Sequence, residues 1–160
     1  MRTAHVLLSL GLRSPDSSTN FPTGPSVIDV EARSDLDVDV ASLVDLVIRV
    51  CGYLGVQRAS VGLMIVGSGE MATINGEHRS KPEPTDVLAF PIDGPDVLDG
   101  WPADGPEPEL GDIVICPDAA QDPLGTLAVH GLLHLLGYDH EADAGEMLAL
   151  QDQILAEFAA

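Results

Sequence analysis

The segment PLGTLAVHGLLHLL, residues 123–136, is apolar on nearly every side. As a helix it has no face to offer water, so the chain must fold with other elements packed around it. Asp122 stands where it can cap such a helix, and Pro123 suits its first position. Histidines interrupt the apolar run. HGLLHLLGYDH, residues 130–140, holds three of the five in the chain. His130 and His134 are four apart, about one helical turn, so both imidazoles share a face and can reach one ion. Gly137 can take the left-handed conformation that ends a helix and reverses the chain, which returns His140 toward the same point. Three neutral ring nitrogens leave a fourth tetrahedral position for water, the layout of a catalytic zinc site rather than of a closed structural one. No cysteine stands nearby as a fourth ligand. Asp139 is a candidate for that role, or for a hydrogen bond to one of the histidines from outside the coordination shell.

The rest of the chain supplies the packing. VIDVEA (27–32), ASVGLMIV (59–66), TDVLAFPI (85–92) and LGDIVICP (110–117) read as strands, with Pro91 either ending the third or placing it at an edge. Val40, Leu43, Val44, Val47, Ile48 and Cys51 recur at helical spacing behind Asp37 or Asp39 as caps, with Gly52 or Gly55 near the end. SGEMATINGEHR predicts a short helix opened by Ser68 and closed near Gly76. Met147, Leu150, Ile154 and Phe158 stripe a last helix. GPDVLDGWPADGPEPE reads as an acidic loop. The expected fold is α/β (α+β): one domain, a four-stranded mixed sheet packed with helices, and a buried helix carrying HxxxHxxGxxH. Residues 1–25, rich in Ser, Thr, Pro and Gly, read as a disordered extension, and residues 26–160 as the domain.

The chain has 160 residues, enough for one core, and no apolar run long enough for a membrane helix. The apolar start is too short for a convincing secretion signal. Cys51 and Cys116 read as buried free thiols of a cytoplasmic protein. With 7 Lys+Arg against 26 Asp+Glu, the net charge of −19 opposes generic attraction to nucleic acid, whose phosphates need cations.

The histidine spacing is similar to the HExxHxxGxxH pattern of metzincin proteases. Here Gly131 replaces the glutamate that acts as their general base, which argues against peptide hydrolysis by that route. Gly131 in a helix costs about 1 kcal/mol against alanine; close packing and room for substrate are both open as its reason. HGLLHLLGYDH resembles instead the signature of the YbeY family, metal-dependent endoribonucleases of ribosomal RNA maturation. INGEHRSKPEPTDVLAFP (74–91) and LGDIVICP (110–117) are similar to two further blocks of that family, in the expected order, and the likeness runs from about Val27 to the C-terminus. It departs in three places. The stretch from Cys116 to His130 is short, Ala89 stands where the family usually has serine, and the first 25 residues have no counterpart.

The resemblance implies one Zn2+ per chain on His130, His134 and His140, with Arg79 as the catalytic arginine. It implies a single-strand-specific endoribonuclease acting on ribosomal RNA, including the 3′ end of the small-subunit RNA, and in ribosome quality control. Its partners are then ribosomal RNA and the ribosome or ribosomal proteins, with no membrane and no DNA. Two other readings stand beside it: a ribosome-assembly factor with a structural metal, and a metal-dependent hydrolase of another bond. Few cations are available to hold RNA. Arg79 and Lys81 fall in a motif near the expected site, and Arg58 is expected close to it.

Overall fold

Alternation builds the sheet. Ile28, Val30 and Ala32, and then Ala59, Val61, Leu63 and Ile65, are buried at every second position, the period of a strand with one face in a core. The computed structural model describes the backbone of residues 2–10 and 26–158 and the side chains from Val27 to Phe158. The strands are β1 (Arg2–Leu10), β2 (Ser26–Ser34), β3 (Arg58–Ile65), β4 (Val87–Pro91) and β5 (Glu109–Ile115). They form one sheet in the order β1-β2-β3-β5-β4. β2, β3 and β5 are parallel, and the edge strands β1 and β4 run antiparallel to their neighbours. The four strands expected from the sequence all lie in this mixed sheet, and Pro91 sits on an edge, where its missing N–H costs no ladder bond.

The reading of residues 1–25 as disordered is corrected for Arg2–Leu10, which pair residue by residue with Ser34–Ser26 as a fifth strand. The unpaired N–H and C=O groups along β2 are a template for such pairing, and local composition does not reveal it. Residues 11–25 lie outside the described residues.

Among the described residues, five α-helices complete the fold: α1 (Val40–Tyr53), α2 (Ser68–Arg79), α3 (Gly94–Val97), α4 (Leu124–Leu135) and α5 (Glu146–Phe158). α1 begins at the expected cap, where the Asp39 side chain accepts from the Ser42 N–H at 3.1 Å. α2 runs past Gly76 and ends at Ser80, which takes the left-handed conformation at φ 57°. Its cap position is Gly67, so Ser68 is the first helical residue rather than the cap. α4 starts one residue late: Pro123 is extended at φ −55°, ψ 145°, and Asp122 makes no cap. α3 interrupts the predicted acidic loop, with Pro95 in its first turn.

α1, α4 and α5 share the main core with the sheet. Leu127, Ala128, Val129, Leu132, Leu133 and Leu135 of α4 are all buried. Each large side chain among them contributes roughly 1.5–3 kcal/mol by leaving water. α2 packs on the opposite face of the sheet, where Met71 and Ile74 meet Met64, Leu88, Phe90 and Val114. The end of α2 and the face of α4 therefore approach β4 from its two sides, and the site lies along that edge.

Candidate metal centre

His130 and His134 project from one face of α4, with ring centroids 4.8 Å apart. The turn after α4 brings the third histidine back. Gly137 has φ +97°, and its N–H donates to the His134 carbonyl at 3.1 Å. The Tyr138 N–H donates to the Leu133 carbonyl at 3.1 Å, closing the helix end. Pro95 leans on this turn, and a β-carbon on Gly137 would stand 3.3 Å from it. The His140 ring lies 5.0 Å from that of His130 and 5.1 Å from that of His134. One donor nitrogen from each of the three falls within 4.8 Å of the others.

The donor set suits a divalent cation: three imidazoles, no thiolate, and half-buried rings. His140 has a buried Nδ1 that no protein group satisfies, a cost seldom left standing in a native fold unless something else occupies the neighbourhood. Burial first, then the neighbouring His130 and His140, hold the His134 pKa below the ordinary 6.5. The ring is therefore neutral at pH 7, the form that coordinates a cation.

Asp139 is not part of the converging set. Its Oδ1 accepts from the Glu141 N–H at 3.0 Å, and its carbonyl accepts from the Ala142 and Asp143 N–H groups. It shapes the turn that carries His140. Gln151 of α5 is a site residue that sequence reasoning missed: its Oε1 lies 2.8 Å from His130 Nδ1. The one local signal is its position on the inward face of α5, four residues after Met147 and three before Ile154, both fully buried.

The histidines sit in a cleft of about 550 Å³. Its walls are the end of α2 with His78 and Arg79, the strand β4, the α4 face with Thr126 and Gly131, and the turn to Glu141. The Arg79 side chain is exposed and bonds to none of the described residues. Beside it, the His78 ring packs against Phe90 at 4.7 Å between centroids. Arg58 is elsewhere. It opens β3 and donates to the Gly105 carbonyl at 2.6 Å, and it does not line the cleft. The expectation that it lies near the site is corrected: the cleft runs along the edge strand β4, and β5 stands between β4 and β3. Lys81 is absent from the lining too. Asp86, Asp122, Asp139 and Glu141 line the same cleft as Arg79.

Gly131 has a packing reason. A β-carbon there would stand 2.7 Å from Ile113 Cγ2, inside contact distance, so α4 lies as close to β5 as a glycine allows. A glutamate in the metzincin position has no room.

The family model for Endoribonuclease YbeY matches residues 28–159. Endoribonuclease YbeY of Acidothermus cellulolyticus is 40% identical over 150 residues, covering 83% of this chain and 92% of that protein. The protein of the same name from Mycolicibacterium paratuberculosis is 38% identical over 150 residues, covering 83% and 84%. The solution structure of TM1509 from Thermotoga maritima matches at 24% identity with a TM-score of 0.49, covering 80% of this chain and 91% of that one. On the span and identity of these matches, the chain belongs to the Endoribonuclease YbeY family.

Proposed function

We propose that the chain is a zinc-dependent endoribonuclease that cuts single-stranded ribosomal RNA during maturation and quality control of the ribosome. His130, His134 and His140 are the metal ligands, and Arg79 is the catalytic residue. The observation that carries this reading is the convergence of three ring nitrogens within 4.8 Å in a cleft that Arg79 also lines. His130, His134 and His140 would hold a divalent cation, which when bound would supply Lewis acidity and a water-derived nucleophile at neutral pH. The residues of the chain do the remainder. Arg79 offers a planar fork of donors to the non-bridging oxygens of a phosphodiester and to the charge that gathers on them during displacement. The ring of His78 on Phe90 and the small Ala89 leave the strand β4 as an open wall along which a single strand can lie.

Four carboxylates beside one arginine in its lining make the cleft a poor trap for free RNA. The reading therefore includes a protein partner, or the ribosome itself, that presents the RNA in the cytoplasm. The test is cleavage of a labelled single-stranded ribosomal RNA fragment. Arg79→Ala is expected to lower the rate about 100- to 1000-fold, with metal content and fold unchanged. Chelation is expected to abolish the rate, and added Zn2+ to restore it. Full activity in Arg79→Ala would favour an assembly role over catalysis.

A further inference from the structure

α5 packs in the core shared with the metal-bearing helix and is tied to α1. Asp143 Oδ2 accepts from the Met147 N–H at 2.9 Å at its start. At its end, Phe158 packs edge-on to Tyr53 at 5.6 Å and lies under Arg49 of α1. Gln153 Nε2 donates to the Tyr53 hydroxyl at 2.8 Å. Between these anchors Gln151, half-buried, faces α4, and its Oε1 lies 2.8 Å from His130 Nδ1.

We propose that Gln151 is a positioning residue: its Oε1 accepts from Nδ1–H of His130 and so holds Nε2 unprotonated and aimed for a cation. This rests on the metal reading above. A carbonyl oxygen can only accept, so the ring proton must sit on Nδ1. A neutral imidazole carries one such proton, which leaves Nε2 with its lone pair free. The reversed amide would donate to Nδ1 and force the proton onto Nε2, removing both nitrogens from coordination. Convergence of the three rings selects the first arrangement. The hydrogen bond at the second nitrogen also fixes ring rotation and raises ligand basicity. A docked last helix thus becomes part of the site although it contributes no ligand. Being uncharged, Gln151 leaves the charge of a bound dication undiminished for the phosphate.

The test uses the full chain in two ways. First, long-range proton–nitrogen NMR spectra of metal-free protein labelled in histidine read the His130 tautomer directly. The wild type is expected to show Nδ1–H. Gln151→Ala should shift His130 toward the Nε2–H form, and Gln151→Glu, which keeps an acceptor, should retain Nδ1–H. Second, competition with a chromophoric chelator measures Zn2+ affinity. Gln151→Ala should weaken it about 10- to 100-fold, with Gln151→Glu no weaker than wild type. An Nε2–H tautomer in the wild type overturns the proposal, as does a Gln151→Ala variant with tautomer and affinity unchanged. If the wild type shows Nδ1–H but holds no Zn2+, the hydrogen bond stands and the metal reading fails. The two claims therefore fail separately.

Discussion

Gly131 shows how one residue limits the chemistry of the cleft. A β-carbon there would stand 2.7 Å from Ile113 Cγ2 of β5. Gly131→Ala gains about 1 kcal/mol of helix propensity and loses typically 1–3 kcal/mol to overpacking against a fully buried neighbour. The expected net result is destabilisation of about 1 kcal/mol, read by urea unfolding; an unchanged midpoint would show that Ile113 yields freely. Cys51 is a second case. Burial pushes its thiol up to about 12, so the folded chain should leave it unmodified by iodoacetamide at pH 8 and the denatured chain should not. The sign follows from the thiolate being the nucleophile. Modification of Cys51 in native protein would contradict its place in the core. The histidines were legible at this scale because i, i+4 spacing and a following glycine are local facts. Gln151 was not, because its partner is 21 positions away and the contact exists only once α5 has docked.

Among the elements, the turn after α4 is the most exacting. Gly137 combines φ +97° with Pro95 pressed against it, so a side chain there meets both backbone strain and a neighbour. Gly137→Ala is expected to cost about 1 kcal/mol or more in stability. Because the turn carries His140, it should also weaken Zn2+ binding more than it weakens the fold, which a chelator competition beside thermal unfolding will reveal. Equal effects on both would mean that His140 is placed by other contacts. Strands and long helices were readable from their periods. Val40–Tyr53 and Glu146–Phe158 match the predicted stripes, and both cysteines are free and buried as expected. The misreadings fall where tertiary contact outweighs local preference. α2 continues through Gly76 because Asn75 is buried, with its Nδ2 donating to the Glu83 carbonyl at 2.9 Å. β1 depends on a partner strand that composition cannot show. α3 is four residues set between the start of β5 and the end of α4.

At the scale of the whole molecule, charge and site pull in opposite directions. A net charge of −19 repels a phosphate backbone beyond contact range, and salt screens that repulsion over roughly 8 Å at physiological strength. Binding of naked single-stranded RNA should therefore be weak, and its salt dependence shallow, since few phosphates meet a cation. Tight binding at nanomolar protein in a gel shift would remove the need for a presenting partner. No helix of the described residues is long and apolar enough to cross a membrane.

The functional reading depends on the three histidines holding an ion. The most direct measurement is metal content by plasma mass spectrometry on protein purified without a histidine tag, beside His134→Ala. About one zinc per wild-type chain is predicted, with loss of that zinc in a variant that keeps its circular dichroism. A well-folded wild type that carries no metal and takes up none from added Zn2+ would contradict the account.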